Sequence, residues 1–176
     1  MTDAPVLRRL RPTDAPAVLA AFSSAPDMAR QGTVTTVEEA EAYVAHLTDD
    51  GAPRHVFALT VADRLVGAVG VLVDEENRNG WVWYWIHAAY RGRGWTSAAV
   101  ATVADRALAD GGCERLELGH RVNNPASGRV AVAAGFVREG RERAKFLIEG
   151  ERIDVLSYGR LVTDPTPPGP RLPFAW

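Results

Sequence analysis

Gly92 and Gly94 stand one residue apart between an aromatic run, Trp81 to Ile86, and a stretch of helical period. No other feature limits the fold so tightly. Val100, Val103, Ala104, Ala107 and Leu108 recur at i, i+3, i+4, i+7 and i+8, which predicts a helix with one buried face. Gly111-Gly112 predicts its end, where a left-handed residue caps the last turn. The aromatic run predicts a strand. A glycine turn between a strand's end and a helix's start aims several backbone N–H groups at one point, at the positive end of the helix dipole. Such a junction suits a phosphate or pyrophosphate, and Arg91 and Arg93 add charge to it.

Three phosphate-binding signatures can be tested against these residues. A P-loop needs a Lys after its second glycine, and none follows Gly94. A dinucleotide fingerprint needs a third glycine, but Ser97 stands in that place. The remaining signature, Gln/Arg-x-x-Gly-x-Gly/Ala, belongs to the GNAT superfamily of acyl-CoA-dependent N-acetyltransferases, and here Ala89 occupies its first position. Downstream, Asn124-Pro125-Ala126-Ser127 is followed by Gly135-Phe136, eleven and twelve residues after the Asn, then by Glu139-Gly140 and Arg143. This order resembles the GNAT branch that contains the ribosomal-protein-alanine acetyltransferases (RimJ/RimL type). Trp85-Ile86-His87 and Tyr90 also fit it. The likeness runs from about Leu7 to Leu161.

Composition narrows the function classes. The chain of 176 residues fits one domain, expected over 1–162, with residues 163–176 as a tail holding five prolines. A net charge of −2 lacks the basic excess of a general nucleic-acid binder. No run reaches the ~18 apolar residues of a membrane span, and the N-terminus has no basic leader, so no membrane partner and a cytoplasmic location are expected. The single cysteine, Cys113, reads as a small buried apolar residue.

Taken in order, Val6 to Arg11 reads as an edge strand, and Pro12-Thr13-Asp14 starts a helix with Thr13 as its cap. Ser23 to Gly32 reads as a loop. The capping box Thr36-Val37-Glu38-Glu39 opens a second helix. Arg54 to Val61 and Leu65 to Val73 form a hairpin, and a polar loop, Asp74 to Gly80, leads into the aromatic strand. Within that strand Trp81, Trp83 and Trp85 share one face, fit either to line an acceptor pocket or to pack under a helix. Glu114 to Leu118 is a further strand, continuing towards His120. Asn124 caps a short helix with Pro125 at its first position. Phe136 to Ile148 and Arg152 to Leu161 form a last hairpin, and the proline-rich tail is expected to be extended.

Alternating strands and helices imply an α/β layer fold. The resemblance sharpens this to the GNAT fold, a mixed central sheet with two splayed parallel strands and helices on both faces. It implies an acetyl-CoA-dependent N-acetyltransferase that moves an acetyl group from acetyl-CoA directly to a primary amine, either a protein N-terminus or a small amine. It implies no metal, and it leaves a homodimer open. In that pattern the pantetheine arm pairs with backbone near Trp85, Ile86 and His87, the pyrophosphate rests on Arg91, Gly92, Arg93, Gly94, Trp95 and Thr96, and Asn124 holds the acetyl or pantetheine end. Many GNATs protonate the departing thiolate with a Tyr seven residues after the motif Asn, but that position is Ala131 here. In the RimJ/RimL branch the motif serine does so, which maps to Ser127.

His120 is the candidate base, with Glu75 or Glu76 acting through water as the alternative. The first two helices, the Asp74–Gly80 loop and the last hairpin carry Glu38, Glu39, Glu41, Asp74, Glu75, Glu76 and Glu142, an acidic set able to steer a cationic acceptor. Ala89 and the missing Tyr keep a second class open, a non-catalytic acyl-CoA-binding or sensing module.

Overall fold

A computed structural model describes residues 4–49, 51 and 53–175. Along the chain these form β1 (Val6–Arg9), α1 (Ala15–Phe22), α2 (Val37–Thr48), β2 (Arg54–Val61), β3 (Arg64–Asp74) and β4 (Asn79–Ile86). Then come α3 (Trp95–Ala109), β5 (Arg115–Arg121), α4 (Pro125–Ala133), β6 (Val137–Ile148) and β7 (Glu151–Leu161). Among the described residues the strands make one sheet in the order β1-β2-β3-β4-β5-β7-β6. Neighbours are antiparallel except β4 and β5, which α3 connects as a crossover.

The sheet separates two cores. On one face Val66, Val69 and Val82 pack with Val100, Val103 and Ala104 of α3 and Ala131 of α4. On the other, Ala68 and Trp85 pack with Val18 and Phe22 of α1 and Val44 of α2. No helix among the described residues is long and apolar enough to cross a membrane.

Local signals in the chain explain most element ends. Thr36 Oγ1 accepts the Glu39 N–H (3.2 Å) and Glu39 Oε2 accepts the Thr36 N–H (3.2 Å), so the capping box forms as expected. Before α1, however, Asp14 replaces Thr13 as the capping residue. Its carboxylate accepts the Arg11 N–H (2.8 Å) and holds the buried Arg8 guanidinium at 2.7 and 2.8 Å, a demand that the Thr13 hydroxyl cannot meet. The expected loop after α1 also contains a short 3-10 helix, Pro26–Gln31.

The three tryptophans of β4 have different fates, because α1 and α2 cover only part of their face. Trp85 is buried, edge-on to Phe22, and its Nε1 donates to Tyr43 Oη (2.9 Å). Trp83 lies over Gly70, where a Cβ would come within 2.4 Å of the ring. Trp81 is 41% exposed.

The proline-rich tail is extended and also docked. Leu7 N–H donates to Pro173 O (2.9 Å) and Ala175 N–H to Leu7 O (2.8 Å), so Phe174 bridges to β1 in parallel. Leu172 enters the core beside α3, and its N–H donates to Thr102 Oγ1 (2.8 Å). Asp105 of α3 binds both Arg160 of β7 and Arg171 of the tail at 2.5 Å. Prolines prevent a full ladder, but they leave Leu172 and Phe174 free to fill apolar space. Leu172→Ala should therefore lower stability by about 2–4 kcal/mol, the usual cost of emptying a buried leucine site. Leu161→Ala, at a position 40% exposed, should cost far less, and urea unfolding of the two variants checks the contrast.

Candidate functional site

The site begins where the sheet comes apart. β4 and β5 pair only at Asn79↔Arg115, Gly80↔Leu116 and Trp81↔Glu117. Beyond Trp81 each strand follows its other neighbour: Ile86 stays opposite Gly67 of β3, and Arg121 stays opposite Val155 of β7. The gap between them is open at the C-terminal ends of both strands.

Strand alternation decides which backbone groups face that gap. His87 N–H donates to Val66 O (2.8 Å), so His87 and, two residues back, Trp85 turn their N–H groups towards β3. Tyr84 and Ile86 turn theirs towards the gap. Of the backbone groups expected to pair with the pantetheine arm, only that of Ile86 turns its N–H to the gap, as Tyr84 also does, while those of Trp85 and His87 face β3. His87 is further occupied, since its carbonyl accepts from Tyr90 N–H (3.0 Å) and its Nδ1 from Ala89 N–H (3.1 Å).

The glycine turn lies at the end of this gap. Gly92 and Gly94 have φ of 76° and 74°, a region that side-chain-bearing residues rarely adopt. A Cβ on either would meet no atom within 4 Å, so the glycines leave open space above the start of α3. Gly94 is the N-cap and offers no side chain to the first turn, where Trp95 and Thr96 begin the helix. The two arginines differ. Arg91 is neutralised by Asp27, both of whose oxygens lie at 3.0 Å. Arg93 lies over the rings of Tyr90 (5.4 Å) and Trp95 (5.0 Å) and keeps its charge near the turn.

Across the gap, α4 presents Ser127 in a defined setting. The Asn124 side chain accepts the Ser127 N–H (3.4 Å) through Oδ1, which directs Nδ2 to Ser127 Oγ (3.2 Å). Tyr84 Oη donates to the same Oγ at 2.9 Å. Both lone pairs of the serine oxygen are thus engaged, and its own proton is free to point into the cavity. Burial pushes the Tyr84 phenol up to about 12, with the Ser127 hydrogen bond pulling the other way, so Tyr84 remains a donor at neutral pH.

Two cavities meet at this serine. The first, of about 370 Å³, runs from the glycine turn along Trp85 and Ile86 to Asn124 and Ser127, with Arg129 on its wall. The second, of about 250 Å³, opens on the other side between Trp81, Trp83, His120, Arg121 and Phe146. Arg30, Gln31, Tyr84, Asn124 and Ser127 line both. The splay is therefore a passage through the sheet, with Ser127 at its midpoint.

Of the sequence-derived candidates, Ser127, Asn124, Ile86 and the glycine turn come together, and Trp85 lines the first cavity from within the core. His120 lines the second cavity but is buried, with both ring nitrogens engaged. Nδ1 lies 2.9 Å from the Arg121 carbonyl, which can only accept, and Nε2 lies 3.2 Å from Tyr158 Oη. Its lone pair is not open to an incoming amine. Of the acidic set, Glu142 pairs with Lys145, which lines the second cavity, but the loop residues lie elsewhere. Asp74 and Asn79 pair at the closed end of β4, far along the strand from the gap, and Glu75 lines a different hollow with Arg54 and Arg78. Among the described residues no carboxylate lines the second cavity. Residue reading missed Tyr84, Arg30, Arg121 and Arg129. Only Tyr84 left a trace, as a polar-tipped residue in an otherwise apolar strand.

Comparison with known proteins follows the same lines. The chain is 28% identical over 108 residues to the ribosomal-protein-serine acetyltransferase of Escherichia coli (strain K12), covering 61% of this chain and 60% of that protein. It is 32% identical over 90 residues to the probable N-acetyltransferase YjcK of Bacillus subtilis (strain 168), covering 50% of each. The chain thus spans between half and three-fifths of the length of the curated relatives it matches. Among solved structures, RimL, a ribosomal L7/L12 alpha-N-protein acetyltransferase in complex with coenzyme A, superposes with a TM-score of 0.79 at 22% identity, covering 88% of this chain and 92% of that one. The microcin C7 self-immunity acetyltransferase MccE, in complex with acetyl-CoA and AMP, gives 0.79 at 16% identity, covering 90% and 93%. At these identities the likeness is one of fold. Residues 6–137, from β1 through the splayed strands to the start of β6, match the acetyltransferase (GNAT) domain, and the chain belongs to that family.

Proposed function

We propose that the chain transfers an acetyl group from acetyl-CoA directly to a primary amine within this passage. The observation that carries the reading is the meeting of two cavities at a serine whose only uncommitted hydrogen-bonding capacity is its proton. The first cavity fits acetyl-CoA on its own features. An uncapped helix start and two glycines suit the pyrophosphate, and the free backbone of Tyr84 and Ile86 suits an extended arm laid beside β4. The second cavity takes the amine.

The residues then divide the work. Ile86 N–H, pointing into the gap, donates to the charge that develops on the thioester oxygen as the amine attacks. Ser127 gives its Oγ proton to the sulfur as the C–S bond breaks and regains one from the attacking nitrogen, which loses a proton on becoming the amide, while Tyr84, donating to the same Oγ, holds that hydroxyl in place. Asn124 fixes the start of α4 and so the position of Ser127. No carboxylate base is needed in the second cavity, because Arg30, Arg121 and Lys145 there favour the neutral form of the amine. Alignment of the two reactants supplies the larger part of the rate.

Ser127→Ala should lower kcat roughly a hundredfold, the usual range for a positioned acid, with little change in acetyl-CoA affinity. Tyr84→Phe keeps the ring but loses the donor, and kcat should fall about tenfold, in line with one lost hydrogen bond in a closed site. Thiol release across an amine panel measures both. Wild-type rates in both variants would remove Ser127 from the chemistry, and no thiol release with any amine would favour the acyl-CoA-binding module instead.

Gly94→Val should weaken acetyl-CoA binding tenfold or more, roughly the loss of a charge-assisted contact. Gly112→Val is the control. Gly112 has a similar φ of 76° and equally open surroundings, but it lies at the far end of α3. Calorimetry should find weaker binding in the first variant only.

A further inference from the structure

We propose that the acceptor carries a negative charge of its own, a carboxylate or phosphate close to the amine. This rests on the second cavity being the acceptor's, and extends that reading from reaction to substrate class.

The charge balance of the cavity is one-sided. Arg30, Arg121 and Lys145 line it, with His120 on its floor, and no Asp or Glu does. Lys145 is partly neutralised by Glu142 at 2.6 Å. Arg30 and Arg121 have no carboxylate partner among the described residues. Arg121 instead lies 4.8 Å over the Phe146 ring. An acceptor bringing only an ammonium would meet two uncompensated guanidinium groups. One that also brings an anion gives them a partner, and a guanidinium is shaped to grip a carboxylate or phosphate through two hydrogen bonds.

A distortion of β6 builds this wall. Glu142 pairs with Val155 but Phe146 pairs with Ile153, so four steps on β6 span two on β7. The surplus forms a bulge in which Ala144 adopts φ 56°. Asp154 holds it from β7, accepting the Ala144 N–H (2.7 Å) and Arg141 Nε (2.5 Å). The bulge brings Lys145 and Phe146 to the cavity, and Phe146 stays 39% exposed at its rim, with Trp81 41% exposed. Two half-exposed aromatic rings beside two free arginines suit a compact ligand with an apolar or planar body and an anionic group. They do not suit a polycation.

The test compares matched amines. Phenylalanine carries a carboxylate, phenylalanine amide is its neutral counterpart, O-phosphotyramine carries a phosphate, and spermidine is cationic. A peptide beginning Ser-Asp-Asp and its Ser-Asn-Asn counterpart ask whether the anion resides in a peptide or a small molecule. Calorimetry in the presence of coenzyme A reads binding, and thiol release from acetyl-CoA reads transfer.

At least one anionic probe should bind tenfold or more tightly than its uncharged counterpart. Arg121→Gln should bring that ratio close to one, while Arg121→Lys should retain most of it. Equal or better binding of the neutral probes or spermidine overturns the proposal, as does a ratio that Arg121→Gln leaves unchanged. Because binding is read separately, a preserved anion preference with no thiol release would overturn the transferase reading and leave only the cavity's preference for an anionic ligand standing.

Discussion

Everything functional here depends on β4 and β5 ceasing to pair after Trp81. Parallel neighbours do not part without reason, since each unpaired residue leaves an N–H and a C=O without a partner. The separation is sustained because each strand is held on its other side: β4 by β3 as far as Ile86, and β5 by β7 as far as Arg121. The hydrogen bond from Tyr84 to Ser127 then spans the opening. The result is a row of backbone groups, at Tyr84 and Ile86, facing a cavity rather than a strand. In the proposed reaction those groups are satisfied by the substrate.

The passage is electrically asymmetric along its length. At the glycine-turn end, positive character comes from backbone N–H groups at an uncapped helix start and from Arg93 and Arg129, while Asp27 pairs with Arg91. At the other end it comes from side chains, chiefly Arg121 and the shared Arg30, which have no carboxylate partner among the described residues. Between them Ser127 Oγ itself accepts from two uncharged donors, Tyr84 and Asn124, with Arg30 on the wall of both cavities. In the proposed reaction the arginines favour a neutral amine, without the carboxylate base that residue reading sought in Glu75 and Glu76. The last hairpin is part of the same design. Its bulge, pinned by Asp154, turns an edge strand into a wall of the second cavity.

Sequence alone determined the features whose physics is local. The glycine turn was legible because only glycine readily takes φ near 75° at two positions in three. The Asn124–Ser127 cap, the Thr36–Glu39 box and the hairpin turns depend on hydrogen bonds between residues at most four apart, so spacing predicts them. The splayed strands were legible through family resemblance, not through periodicity. Tertiary structure alone decided which groups meet across long separations. Tyr84 and Ser127 are 43 residues apart, and Asp105 and Arg171 are 66 apart. His120 changed from a candidate base to a buried residue because Tyr158, on another strand, occupies its second nitrogen. The acidic loop lost its place because a β-hairpin's turn lies one strand length from that strand's other end, and nothing in a list of charges records which end is open. Charge, periodicity and capping are properties of neighbours in the chain, whereas a site made where two strands part is a property of neighbours in space.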